Sequence, residues 1–155
     1  MPRRKRKYKR DILPDPKYHS ETIAKFVNHL MERGKKSVSE RVLYRALELV
    51  AEKTKKDGLE IFDLAMKNVT PVLEVKSKRI GGANYQIPIE VRTPRKMALA
   101  MRWLIGAARA AKGKPMAEKL AEELMLAAKG EGEAMRKREN VQRMAEANRA
   151  FAHFA

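Results

Sequence analysis

Apolar residues recur with a helical period soon after two early prolines, Pro14 and Pro16. Ser20 is positioned to cap the helix that this period predicts, and Gly34 to end it. The apolar positions stand at i, i+3, i+4, i+7 and i+8, the pattern of one buried helix face. They are Ile23, Phe26, Val27, Leu30 and Met31.

Two further helices are predicted before Pro71 interrupts the pattern. The second begins at Ser37, where Glu40 completes a capping box, and ends near Asp57-Gly58. A short third helix covers about Leu59 to Val69. The buried face of the second helix comprises Val42, Leu43, Ala46, Leu47 and Val50.

The period then changes from helical to alternating. Residues 72–80 and 85–92 read as two strands, joined by a turn at Gly81-Gly82-Ala83-Asn84. Pro88 has no N–H to donate to a ladder, so the pair is predicted to be an edge ribbon. Because two strands alone are marginally stable, the ribbon must rest on a helix at its base or be held by an outside partner at its tip.

Helical periodicity returns for the rest of the chain. Thr93-Pro94 opens a fourth, almost wholly apolar helix that we expect to be central and buried, with Met97–Ala111 as its core. A fifth helix runs to Lys129 with Met116, Leu120, Leu124 and Ala127 inward. The last helix, about Glu133 to Ala150, has a thin apolar seam of Ala134, Val141, Met144 and Ala145.

These elements predict a mainly α fold. The domain has about six helices, with a two-stranded β-ribbon at residues 72–92 protruding between the third and fourth helices. Residues 1–18 are interpreted as a basic N-terminal extension and residues 19–155 as the helical domain.

Composition narrows the function. The 155 residues include 35 Lys and Arg against 19 Asp and Glu, a formal net charge of +16, which favours a polyanionic partner. No apolar run approaches the ~20 residues of a membrane span, and no apolar segment follows the basic N-terminus as in a secretory signal, so a cytosolic protein is expected. Seven of the first ten residues are basic, which indicates either a solvated tail or an arm that orders on phosphates.

Sequence motifs for catalysis are missing. Cysteine is absent, the three histidines are scattered, and neither a phosphate-cradling loop nor a dinucleotide fingerprint occurs. No Ser–His–Asp set can be nominated. We therefore predict neither an enzyme nor a protein that binds a metal or another cofactor.

The arginines of the fourth helix form a stripe. Arg95, Arg102 and Arg109 are seven residues apart, so they recur on one helix face over about 21 Å. A solvated helix edge is one interpretation, with arginine stems covering the core. Since no acidic residue shares the stripe and a guanidinium matches phosphate geometry, we favour a phosphate track.

The ribbon is also basic. Its flexible tip suits a groove- or strand-contacting element, and Tyr85 either stacks on a base or packs across the ribbon. Met116, at a helix start beside Lys112 and Lys114, is predicted to face RNA. Aromatic residues are only 6%, so recognition by shape and phosphate position is expected, as for folded RNA.

The sequence closely resembles the bacterial small-subunit ribosomal protein seven family over nearly its whole length. The resemblance rests on Gly34-Lys35-Lys36, on Gly81–Gln86 followed by Pro88, on Ala100 with Arg102-Trp103-Leu104, and on Met144–His153. It implies a ribosomal RNA binder that nucleates folding of the small-subunit head. It also implies a cytoplasmic position at the subunit interface by the decoding centre, near exit-site transfer RNA and messenger RNA, with small-subunit proteins nine and eleven as neighbours.

Two sets of candidate residues follow from the basic patches and the resemblance. The candidate ribosomal RNA-binding residues are Arg3, Arg4, Arg6, Arg10, Lys25, Lys35, Lys36, Arg41, Lys76, Lys78, Arg92, Arg95, Arg102, Arg109 and Met116. The residues expected near transfer or messenger RNA are Arg79, Gly81, Gly82, Asn84, Tyr85, Arg143 and Arg149. The chain ends at Phe154-Ala155, where family members often continue to a Tyr-Arg-Trp-like end. The alternative function is a free-standing architectural or regulatory nucleic-acid binder.

Overall fold

The computed structural model describes residues 12–154 of the chain. Six α-helices and one antiparallel ribbon lie within this range, and the predicted mainly α fold is confirmed. The helices are α1 (Glu21–Leu30), α2 (Lys36–Thr54), α3 (Gly58–Val69), α4 (Thr93–Ala110), α5 (Met116–Lys129) and α6 (Glu133–Ala147). The strands are β1 (Leu73–Ile80) and β2 (Ala83–Glu90), and a 3-10 helix, Arg149–Phe154, follows α6.

The core lies where α5 packs against α2, α3, α4 and α6. Phe26 of α1 meets Phe62 of α3 edge to face, with ring centroids 5.2 Å apart. The predicted inward residues of α5, Leu120, Leu124 and Ala127, are fully buried as expected. Between these larger groups the helices touch through alanines that are almost completely buried: Ala46, Ala65, Ala100, Ala108, Ala121, Ala127 and Ala134.

The number and order of the helices were predicted correctly, but several of their ends were not. Helix α1 ends at Leu30, not at Gly34, and α2 begins at Lys36 with no side-chain cap, so the capping box at Ser37 is wrong. The physical reason is a tight turn in which Arg33 and Gly34 both have positive φ, which leads the chain into α2 early. Ser20 and Arg92 hold the N-cap positions of α1 and α4 without a side-chain cap bond, so the predicted Thr93 cap is wrong by one residue.

The turn of the ribbon is shorter than predicted. Ile80 pairs with Ala83, so only Gly81 and Gly82 form the loop, and Ala83 and Asn84 belong to β2. Both glycines have positive φ, 56° and 91°. A two-residue loop of this kind matches the twist of the flanking strands, which accounts for the shorter turn.

The apolar seam of α6 also differs from the prediction. Ala134 and Ala145 are buried, but Met144 is 47% exposed and Met135 is buried instead. Met144 stands about 100° around the helix from Ala145, outside a seam only one side chain wide.

The segment before α1 is held on α2. The buried carboxylate of Asp15 accepts hydrogen bonds from the backbone N–H groups of Lys17 and Tyr18, and from the Tyr44 hydroxyl at 2.7 Å. Lys17 forms an ion pair with Glu48. Thus the last residues of the proposed N-terminal extension pack on the helical domain.

A buried carboxylate closes the turn between α5 and α6. Oε1 of Glu123 accepts the Ala134 N–H at 2.9 Å, in place of a capping side chain that Gly132 lacks. A Cβ on Gly132 would lie 2.8 Å from that oxygen, and its φ is 97°. Burial raises the pKa of Glu123; the bond from Ala134 lowers it in part, and the nearby Glu133 carboxylate raises it further.

Two glycines give opposite predictions for substitution by alanine. A Cβ on Gly58 would lie 2.5 Å from the Leu47 carbonyl oxygen, so Gly58→Ala must separate α2 from α3. We expect a loss of about 1–3 kcal/mol in the free energy of unfolding. Gly106 of α4 has nothing within 4 Å of the same position, so Gly106→Ala should stabilise by about 0.5–1 kcal/mol. Urea unfolding measures both; equal effects would contradict the close contact at Gly58.

The buried carboxylate predicts a pH dependence of stability. Since the folded-state pKa of Glu123 is raised, the folded state holds its proton to higher pH than the unfolded chain, and stability falls as pH rises above about 4.3 through the raised value. Glu123→Gln keeps an acceptor for Ala134 and removes this fall. The variant should gain thermal stability relative to the parent as pH rises from about 4 to 8. A variant that loses stability at pH 7 would show that the charge itself holds the turn.

Candidate nucleic-acid interface

The arginine stripe of α4 is exposed along its whole length. Arg95 lies beside the base of the ribbon, Arg102 lies in the middle of the helix, and Arg109 lies beside the turn between α1 and α2. The three side chains therefore share one surface, as predicted. They differ in their partners, because carboxylates from other elements reach the two ends of the stripe.

Arg95 is bound to the ribbon. Its Nε donates to Glu74 Oε2 at 3.1 Å and one Nη donates to Oε1 at 2.6 Å, a forked pair between α4 and β1. The hydrogen bond from Arg95 lowers the pKa of Glu74; burial opposes this, and the charges of Arg95, Lys76 and Arg102 reinforce it. Glu74 thus sits among three cations and fixes the ribbon base to the stripe.

Arg109 is bound to the end of α1. It donates to the Leu30 carbonyl oxygen at 3.2 Å and forms an ion pair with Glu32 at 2.9 Å. A groove of about 350 Å³ opens beside it and brings Lys35, Arg109 and Met116 together. Met116 is half-buried on the groove wall, so the side chain predicted to face RNA is partly in the core. We call this the Met116 groove; it is lined by Leu30, Glu32, Lys35, Val38, Ser39, Val42, Arg109 and Met116.

Arg102 has no hydrogen bond or ion pair within residues 12–154. It borders a second groove, of about 530 Å³, with half-buried Trp103 and with Lys137 of α6. Burial lowers the pKa of the nearby His29, and the charge of Arg102 lowers it further. The middle of the stripe is therefore a cation without a direct carboxylate partner among the described residues.

The other predicted binding residues surround the stripe. Lys25 pairs with Glu21 at 3.1 Å and Lys36 approaches Glu40 at 3.8 Å, both within one helix. Arg41, Lys76, Lys78 and Arg92 are exposed. Arg3, Arg4, Arg6 and Arg10 lie outside the described residues.

The ribbon tip is less isolated than predicted. Arg79, Gly81, Gly82 and Asn84 are exposed, but Tyr85 is half-buried against Phe151 of the 3-10 helix, with ring centroids 5.2 Å apart. The distal ribbon is therefore supported within its own protein at Tyr85, although the turn residues themselves are exposed. Helix α6, which carries exposed Arg143, also packs on both strands, and the 3-10 helix, which begins at exposed Arg149, packs on β2.

Sequence reasoning missed the groups that hold this surface together. Glu32 and Glu74 have no sequence neighbour that identifies their arginine partners. Phe151 carried one weak signal, an aromatic residue directly after a highly charged helix.

The arrangement can exchange carboxylate partners for phosphates. Exposed ion pairs are weak, so a phosphate can displace the exposed Glu32 from Arg109 at small cost. The forked Arg95–Glu74 pair is held more firmly, because Glu74 is only 18% exposed and accepts two hydrogen bonds. Arg102 offers its guanidinium without any such exchange. Nine of the predicted basic residues are exposed and available to a polyanion: Lys35, Lys36, Arg41, Lys76, Lys78, Arg92, Arg95, Arg102 and Arg109.

Among residues 12–154, no group of three or more His, Asp and Glu side chains is placed to hold a metal ion. In the same range, no helix is both long and apolar enough to cross a membrane.

Comparison with known proteins gives consistent matches along the chain. A family model described as ribosomal protein S7p/S5e matches residues 2–149. Proteins named small ribosomal subunit protein uS7 are similar over 154 residues, which is 99% of this chain and 99% of each relative. The identity is 60% for the protein of Nitrosospira multiformis, 58% for that of Chromohalobacter salexigens and 56% for that of Hahella chejuensis.

The partner-free arginine gives a prediction for RNA binding. Arg102→Gln keeps much of the stem and removes the charge, and should weaken binding to ribosomal RNA by about 1–3 kcal/mol with little change in melting temperature. The slope of log affinity against log salt should fall by about 1. Arg45→Gln is the matched control, because Arg45 is exposed on α2 and already paired with Glu48 and Glu52. A lower melting temperature with unchanged affinity would show that Arg102 only covers the core.

Proposed function

Since the chain belongs to the ribosomal protein S7p/S5e family, we propose that it is a structural constituent of the small ribosomal subunit that binds small-subunit ribosomal RNA directly and nucleates folding of the subunit head. Proteins of this family are components of the ribosome and not enzymes, which agrees with the missing catalytic motifs. The alternative of a free-standing nucleic-acid binder is set aside by the family membership.

One observation carries the RNA-binding part of this proposal. The exposed stripe of α4 continues at one end into the basic ribbon base and at the other into the Met116 groove, so a single surface joins three separate elements. RNA that follows this surface must present phosphates to all three at once. Such a surface is suited to a folded RNA junction and would help to hold one in shape.

The aromatic content supports recognition by shape. Trp103 borders a groove while half-buried in the core, and Tyr85 is engaged with Phe151. Neither is displayed as an open stacking platform, as on proteins that read single-stranded RNA. Recognition through phosphate position is the mode these side chains favour.

The ribbon and α6 carry the finer part of the proposal. We infer that the exposed tip lies at the subunit interface by the decoding centre, beside exit-site transfer RNA and messenger RNA, with Arg79, Asn84, Arg143 and Arg149 as contacts. Small-subunit proteins nine and eleven are the proposed protein neighbours. The support is that these residues lie on the ribbon, α6 and the 3-10 helix, which pack together and do not line the Met116 groove.

The test separates the two parts of the proposal. Lys78 and Tyr85 are register partners, so replacing Arg79–Asn84 by Asn-Gly creates a shorter ribbon with the same type of two-residue turn. Subunits assembled with this variant should retain RNA binding and head assembly but hold exit-site transfer RNA less well. Ser77→Thr, which keeps the length and changes an exposed ribbon position outside the replaced segment, is the matched control.

Each outcome has a distinct meaning. Loss of primary RNA binding with normal exit-site occupancy would assign the tip to the assembly surface and contradict its placement beside transfer RNA. If the parent protein binds ribosomal RNA with a salt slope near zero, the phosphate-contact surface itself is wrong.

A further inference from the structure

The β-ribbon is held by other elements along its length. Within residues 12–154 no third strand pairs with it, and an isolated two-stranded ribbon is marginal in water. Helix α6 packs on both strands, and Ile87 of β2 is 2% exposed. The distal half of the ribbon meets the 3-10 helix, and Tyr85–Phe151 is the ring contact there. The packing of the outer ribbon therefore depends on the 3-10 helix, which lies about 60 residues after β2 in the chain.

The two faces of the distal ribbon are different. Side chains alternate along a strand, so Ile80, Tyr85 and Ile87 share one face of the paired strands. Ile80 and Tyr85 are half-buried, whereas Ser77, Arg79, Asn84 and Gln86, all on the opposite face, are exposed. The contact with Phe151 is thus made by the face that carries Tyr85 together with Lys78 and Ala83, and the fully exposed distal face of Arg79 and Asn84 points away from it.

We propose that Phe151 is a positioning residue. By packing against Tyr85 it holds the distal ribbon on the α6 side and fixes the direction in which the Arg79 and Asn84 face points. The tilt of 56° between the rings is a normal aromatic contact, and its loss removes the ring partner of Tyr85. The orientation of the tip is then a property of the 3-10 helix as much as of the ribbon.

The position of Tyr85 makes this contact effective. Tyr85 is opposite Lys78, two pairs from the Gly81-Gly82 turn, so a ring held there restrains the outer part of the ribbon. Beyond this point only Ile80 is partly covered by protein. A ribbon fixed only at its base would pivot at the last contact with α6.

The test compares Phe151→Ala with Phe151→Tyr in the whole protein. Hydrogen exchange of the backbone amides of residues 77–86 should become about two- to tenfold faster in the alanine variant, since an aromatic pair contributes on this scale. Residues 73–76 and 87–90 should keep their protection, because they pair with each other at the end of the ribbon away from Tyr85 and Ile87 among them is buried. Tyrosine should restore the parent rates, and Ala152→Ser, an exposed change in the same 3-10 helix, should leave them unchanged.

A double variant excludes general damage. Tyr85→Ala should loosen the same amides, and combining it with Phe151→Ala should add little, because both remove one contact. Unchanged protection in Phe151→Ala, or fully additive effects in the double variant, would overturn the proposal.

The RNA consequence rests on the proposed function and is measured separately. Subunits assembled with Phe151→Ala should keep ribosomal RNA binding and lose part of their exit-site occupancy. Faster exchange at the tip with normal exit-site occupancy would support the positioning role and count against the placement of the tip beside transfer RNA.

Discussion

The close approach of helices across alanine and glycine determines the geometry of this molecule. Ala46, Ala65, Ala100 and Ala121 leave little side chain between neighbouring helices, and Gly58 lies almost against the carbonyl of Leu47. Because protein interiors are close-packed, this spacing allows little lateral movement. The long α4 is therefore held rigidly, and its arginines keep fixed separations that a folded RNA can match.

Carboxylates prepare the same surface in the absence of RNA. Glu74 binds Arg95 and Glu32 binds Arg109, so the ends of the stripe are ordered, while Arg102 in its middle has no ion-pair partner within residues 12–154. A chain of net charge +16 repels itself, and such pairs reduce the repulsion at low cost. They also hold long side chains in place, which reduces the entropy lost when phosphates bind.

Much of this architecture was predictable, because the helices are strongly periodic and the ribbon alternates. The arginine stripe followed from spacing alone, since seven residues return to the same helix face. Helix ends were missed where backbone conformation decided them, as at Arg33 and Gly34. Long-range contacts were missed for a different reason. The residues around Glu74 do not indicate that its partner is Arg95, and those around Tyr85 do not indicate Phe151. The predicted burial of Met144 was wrong because the apolar seam of α6 is one side chain wide, so a shift of one residue moves a side chain out of it.

The contact between Tyr85 and Phe151 also has a consequence for synthesis. Chains are made from the N-terminus, and domains begin to bury their cores as they emerge. The ribbon is complete at residue 90 of 155, but the aromatic partner of Tyr85 lies at residue 151. Until residue 151 has been made, Tyr85 lacks its ring partner and the outer ribbon lacks the packing of the 3-10 helix. The orientation of the tip is therefore fixed late in synthesis, and a chain that stops before residue 151 carries a hairpin without this support, open to proteases and chaperones.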